Sequence, residues 1–158
     1  MIRLVATFLL VTTLPLITQA QEARNWQEQC TSAARGAPLV CRATQTVVDA
    51  QSGAPIVRST VVTSDELDLP GHALLSVELP VGVHIPSGVT LGNITLALET
   101  CDTSACYAQT PFSGEISDMF LAGGSQPLIF RMAPDQDVSF TLQLDGFAQS
   151  FNAIKIAK

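Results

Sequence analysis

Apolar and polar residues alternate along much of this chain, in short runs. Over residues 39–48, Cys41, Ala43, Gln45 and Val47 share one face, and Val40, Arg42, Thr44, Thr46 and Val48 the other. A period of two is the mark of a strand with one side buried. Residues 49–55 read as a turn and 56–63, rich in Val and Thr, as a second strand, so the two form a hairpin. Residues 64–71 are acidic and end in Pro70-Gly71, a turn signal. Over 73–79, Leu75, Val77 and Leu79 point one way and Ser76 and Glu78 the other.

The stretch 75–91, LSVELPVGVHIPSGVTL, is the most punctuated. Pro80, Gly82, Pro86 and Gly88 divide two short Val/Ile runs. This reads as strand, corner, short crossing, second corner and strand, a way for a chain to change sheet in a sandwich without a long loop. Gly82 and Gly88 supply backbone freedom there, and Pro80 and Pro86 rigidity. If Val83 and Ile85 both face inward, His84 between them faces solvent. Over 94–98, Ile94, Leu96 and Leu98 are expected inward and Thr95 and Ala97 outward.

Thr110-Pro111 has the chemistry of a helix start, a capping hydroxyl followed by proline in the first turn. Phe112, Ile116, Met119 and Phe120 follow at helical spacing, and Gly123-Gly124 ends the segment. Residues 128–132 and 138–144 read as strands. Phe147, Phe151 and Ile154 fit a short terminal helix with one apolar face, although alternation also permits a strand. The sum is seven to nine short strands with one or two short helices. That predicts an all-β fold, a disulfide-stapled, jelly-roll-like β-sandwich.

Composition adds a compartment. A short basic start around Arg3, an apolar run over residues 4–17 and a small residue at Ala20 make a signal peptide spanning residues 1–20. The apolar run is short for a membrane span and contains Pro15. The remainder, residues 21–158, suits a single domain. Without Arg3, seven basic residues stand against fourteen acidic ones, a formal charge of −7. So acidic a chain has no electrostatic footprint for nucleic acid, and no second long apolar run suggests membrane insertion.

Four cysteines in an exported chain point to disulfides. Three pairings are open to four cysteines. The local one, Cys30–Cys41 and Cys101–Cys106, is favoured because short loops close at low entropic cost. The spacing does not suit zinc, since neither pair is C-x2-C and no histidine is near. No metal or other cofactor is expected.

Candidate chemistry is sparse. His72 and His84 are the two histidines, and a Ser–His–Asp or Cys–His arrangement needs one of them. His72 follows a turn and reads as a solvated loop residue; His84 reads as an outward strand residue. The nucleophile elbow, the zinc-protease motif, the phosphate loop and the dinucleotide fingerprint are missing from the sequence. Trp26 either packs on the sandwich beside the Cys30 bridge or marks a binding surface.

Several pieces then line up in order: Trp26 shortly before Cys30; Leu79-Pro80-Val81-Gly82-Val83 followed by Ile85-Pro86-Ser87-Gly88-Val89; Cys101 and Cys106 followed by Tyr107-Ala108; and Leu144-Asp145-Gly146-Phe147. Together they resemble the invasion-associated locus B family of alphaproteobacterial exported proteins, over nearly the whole mature chain. One departure is that the acidic residue often found after the family's central motif is absent around Gly92-Asn93-Ile94. The resemblance implies a periplasmic or surface-associated, non-enzymatic protein, linked by name to virulence through host-cell invasion. It carries over no catalytic or binding residue.

Three functions stay open on the sequence. The first is an interaction module that binds a protein partner in the envelope or on a host cell. The second is a periplasmic carrier of a small ligand, with an apolar cavity lined by Leu75, Val77, Ile94 and Leu96. The third is an enzyme of unrecognised type centred on His84.

Overall fold

The computed structural model describes residues 25–49 and 51–156. The expected signal peptide, residues 1–20, lies outside them. Ten strands and two helices follow in the order β1 (Gln27–Ser32), β2 (Leu39–Val48), β3 (Pro55–Thr63), β4 (Ala73–Pro80), β5 (Val89–Leu91), β6 (Ile94–Leu96), β7 (Thr100–Cys101), β8 (Ala105–Pro111), α1 (Gly114–Ala122), β9 (Ser125–Ala133), β10 (Gln136–Gln143) and α2 (Phe147–Ile156). They form an all-β sandwich of two antiparallel sheets. One has six strands in the order β1-β2-β3-β4-β8-β7, the other four in the order β10-β9-β5-β6.

The alternation along the chain becomes the inside and outside of the larger sheet. Ala43 and Gln45 of β2, Val57 and Val61 of β3, and Leu75 and Val77 of β4 are buried. The residues between them face out. Burial of each aliphatic side chain contributes about 1.5–3 kcal/mol, which is the force that selects this register. Leu128, Phe130 and Leu142 of the smaller sheet complete the core.

An aromatic cluster closes one end. Trp26 is 2% exposed, and its ring lies edge-on to Phe147 at 4.8 Å. Phe147 in turn packs on Phe120 at 5.0 Å and Phe112 at 5.5 Å. Trp26 is therefore a core residue. Phe147, Phe151 and Ile154 lie on the buried side of α2, as their helical spacing requires.

Both disulfides link directly opposed residues. Cys30 pairs in register with Cys41 across β1 and β2, and Cys101 with Cys106 across β7 and β8. Each bridge ties an outermost strand of the larger sheet to its neighbour. These strands need the help: every residue of β1 is exposed, and β7 has two residues.

Two sequence expectations are corrected, and one strand is unforeseen: residues 27–32 form β1, an edge strand with no buried residue, which leaves no periodic trace. Thr110-Pro111 ends β8, opposite Leu75 and Leu74, instead of starting a helix. Cross-strand pairing overrides the local capping signal, and α1 begins at Gly114 after Ser113. Val83 is buried at 6% exposure while Ile85 is 51% exposed. Ile85 opens a short 3-10 turn over Ile85–Ser87, so the period changes from two to three between these residues.

Candidate binding surface

The outer face of the six-stranded sheet is built from the residues that alternate with the core. Register aligns them in rows that cross the strands. Gln27 lies opposite Thr44, Thr44 opposite Thr60, Thr60 opposite Ser76, and Ser76 opposite Gln109. This central row of amides and hydroxyls spans five strands, with neighbours about 5 Å apart. Thr44 and Thr60 share a hydrogen bond of 3.2 Å, and Gln109 Nε2 donates to Ser76 Oγ at 3.5 Å.

The rows on either side differ in character. On one side Thr46, Arg58, Glu78 and Tyr107 stand in register. Arg58 Nη1 donates to Glu78 Oε2 at 2.7 Å. On the other side Gln29 and Arg42 lead to apolar Val62 and Leu74. Arg42 is exposed and makes no ion pair among the described residues. Strands β1, β2, β3, β4 and β8 enclose a shallow concavity of about 740 Å³ over these rows.

Beyond Arg58 and Glu78 the surface changes. The same two side chains border a second groove of about 220 Å³, whose lining is otherwise mostly apolar, with Pro55, Ile56, Val57, Leu79, Pro80, Val81 and Ala105 joined by Ser104. Val81 is 47% exposed. The face thus runs from a hydrogen-bonding floor, past a half-exposed ion pair, to an apolar notch at the first corner of the central motif. Such a juxtaposition of polar contacts and an apolar anchor suits a protein surface. The sequence separates the two faces of β2 and β4, but the rows their residues make depend on sheet pairing.

The motif residues lie beside this surface and hold the crossing between sheets. Pro80 ends β4 opposite Ala105. Gly82 has φ +90°, and Gly88 has φ +64° with its α-carbon facing the Leu96 carbonyl so closely that a Cβ would come within 2.4 Å of the oxygen. Pro86 lies within the 3-10 turn. From there the chain enters β5, between β6 and β9 in the smaller sheet.

The histidines are local fasteners. His84 is half-buried; its N–H donates to the Arg131 carbonyl at 2.7 Å, and its Nδ1 shares a 2.7 Å hydrogen bond with Ser87 Oγ. It joins the crossing to β9. His72 is exposed, with φ 52°, and Nδ1–H donates to the Leu67 carbonyl at 2.8 Å. Leu75, Val77 and Leu96, considered as the lining of a ligand cavity, are buried in the core, with Ile94 packed against it. Among the described residues no three His, Cys, Asp or Glu side chains are grouped to hold a metal ion. No described helix is long and apolar enough to cross a membrane.

The model of the invasion associated locus B (IalB) protein family matches residues 26–155. The chain belongs to that family. The crystal structure of invasion associated protein B from Bartonella henselae has the same fold, with a TM-score of 0.67 at 20% identity. The match covers 84% of this chain and 92% of that one. No curated protein matches the sequence. The matched span begins at Trp26, whose indole closes the aromatic cluster, and ends within α2, so the family match covers both sheets of the sandwich.

Proposed function

We propose that this IalB family member is exported by a cleaved signal spanning residues 1–20. In the envelope or outside the cell it binds a protein partner without catalysing a reaction. The contact surface is the outer face of the six-stranded sheet. The reading rests on one observation: the polar rows and the apolar notch meet at Arg58 and Glu78. A partner crossing the strands finds hydrogen-bonding groups along the central row and an anchor site at Pro80 and Val81. A role in host-cell invasion rests on the family's name.

The test pairs capture with disruption of the face. Wild-type protein and a Thr44→Arg/Ser76→Arg variant are each immobilised and exposed to a periplasmic extract and to host-cell membranes, and retained proteins are cross-linked and mapped. The expected result is a partner cross-linked to β2, β3 or β4 on the wild type and lost from a variant with unchanged circular dichroism. A partner retained equally by both proteins, or none above background on the wild type, overturns the proposal.

A further inference from the structure

Four strands form the ends of the two sheets. β7 has two residues, β6 has three, and β1 carries Glu28 and is bridged through Cys30. β10 is the exception, with eight residues and neither charge nor proline from Val138 to Gln143. Natural sheets usually blunt such an edge.

Gln143 establishes which backbone groups of β10 point away from β9. Its N–H donates to Gln45 Oε1 at 2.9 Å. Its carbonyl accepts from Gln45 Nε2 at 2.7 Å and from Trp26 Nε1 at 2.9 Å. Alternate residues of an antiparallel strand direct both backbone groups to the same side. Thr141 and Ser139 therefore present their N–H and C=O groups on the edge that no described strand pairs. The opposite strand agrees: Pro127, the register partner of Thr141, has no N–H, and its carbonyl accepts from Gly92 on the β5 side at 2.8 Å.

We propose that this edge pairs antiparallel with the same edge of a second copy, about a two-fold axis at Phe140. Ser139 of each copy then lies opposite Thr141 of the other. Each of these two pairs exchanges two backbone hydrogen bonds. The next rung requires Gln143, whose backbone groups are already taken by Gln45 and Trp26, so the ladder stops there. Phe140 is half-buried and stacks on Phe130 at 6.0 Å. At the axis it meets its symmetry mate in a non-hydrogen-bonded pair, where side chains approach most closely.

The symmetry argues for a second copy. The free donors and acceptors match in a self-complementary register, and the uncharged run sets no like charges against each other. The contact is small, so association belongs in the range of about 0.1–1 mM.

Sedimentation equilibrium and amide hydrogen exchange test this on the mature protein. Wild type is expected to reach about 1.5–1.8 times the monomer mass as concentration rises to about 1 mM, with the Ser139 and Thr141 amides exchanging roughly two- to fivefold more slowly than in dilute solution. Thr141→Pro removes an outward N–H at a position where an edge strand tolerates proline, and Ser139→Lys adds a charge on the edge. Both variants are expected to keep the circular dichroism spectrum and remain monomeric. Wild-type protein that stays monomeric throughout, as an edge reserved for a foreign strand does, overturns the proposal. So does a dimer that persists in both variants.

Discussion

Gln45 is held by both ends of its side-chain amide to a single residue of the opposite sheet. Nε2 donates to the Gln143 carbonyl at 2.7 Å, and Oε1 accepts the Gln143 N–H at 2.9 Å. Gln45 is itself buried on β2, directly opposite the buried Ser59 of β3 and between the apolar Ala43 and Val47. The pair therefore acts as a backbone-like rung between sheets. It satisfies a polar group that burial otherwise penalises.

Replacing Gln45 by Ala removes both bonds and leaves the Gln143 N–H without its acceptor. The expected loss is about 1–3 kcal/mol. Trp26→Phe keeps an aromatic ring in the cluster and removes one of two donors to the Gln143 carbonyl, for about 1 kcal/mol. In the double variant that carbonyl loses both donors, so the costs should exceed their sum. Urea unfolding followed by circular dichroism measures all three, and strictly additive costs would refute the shared-acceptor account.

The two motif glycines are expected to respond differently to alanine. Both have positive φ, but at Gly82 the nearest atom to an added Cβ is the flexible Met132 methyl at 3.7 Å. At Gly88 it is the backbone oxygen of Leu96 at 2.4 Å. Gly82→Ala should cost about 1–2 kcal/mol, the conformational term alone. Gly88→Ala must also separate β6 from the corner and should cost about 3 kcal/mol or more. Comparable melting temperatures for the two variants would remove the distinction.

The disulfides should contribute unequally. The bridge between Cys30 and Cys41 spans a sequence separation of 11, and that between Cys101 and Cys106 a separation of 5. Chain entropy assigns them about 3 and about 2 kcal/mol. The first also holds β1, directly after Trp26, so Cys30→Ser/Cys41→Ser should increase proteolysis around β1. Cys101→Ser/Cys106→Ser should not. Limited proteolysis with mass spectrometry reads the difference, and equal cleavage there in both variants would contradict it.

Asp102 connects the β7–β8 hairpin to pH. Its carboxylate accepts from the Ser104 hydroxyl at 2.6 Å and from the N–H groups of Ser104 and Ala105 at 2.7 and 2.9 Å. The Ser104 hydroxyl first, and then these amides, hold its pKa below the ordinary aspartate value. A carboxylate depressed in the folded state stabilises in full above its unfolded pKa, and that contribution fades as pH falls through the folded one. Asp102→Asn should therefore melt below wild type above about pH 4, with the gap closing as pH falls below that. Thermal melts across this range decide it; a gap independent of pH would rule the linkage out.

Alternation over Leu39–Val48 and Ala73–Pro80 is legible because each strand buries one side, and the side chains record this directly. The terminal helix is legible for the same reason, through Phe147, Phe151 and Ile154. β1 is not, since none of its residues is buried. Thr110 and Pro111 carry a genuine capping signal that loses to pairing with Leu75 and Leu74, an energy the local sequence does not contain. The candidate surface divides in the same way. That Thr44 shares a face with Arg42 and Thr46, and Ser76 a face with Glu78, follows from the sequence alone, through a period of two; Thr60 joins them only in the structure. That they stand side by side, and that Gln45 meets Gln143 98 positions away, follows only from register and sheet order, which long-range packing decides.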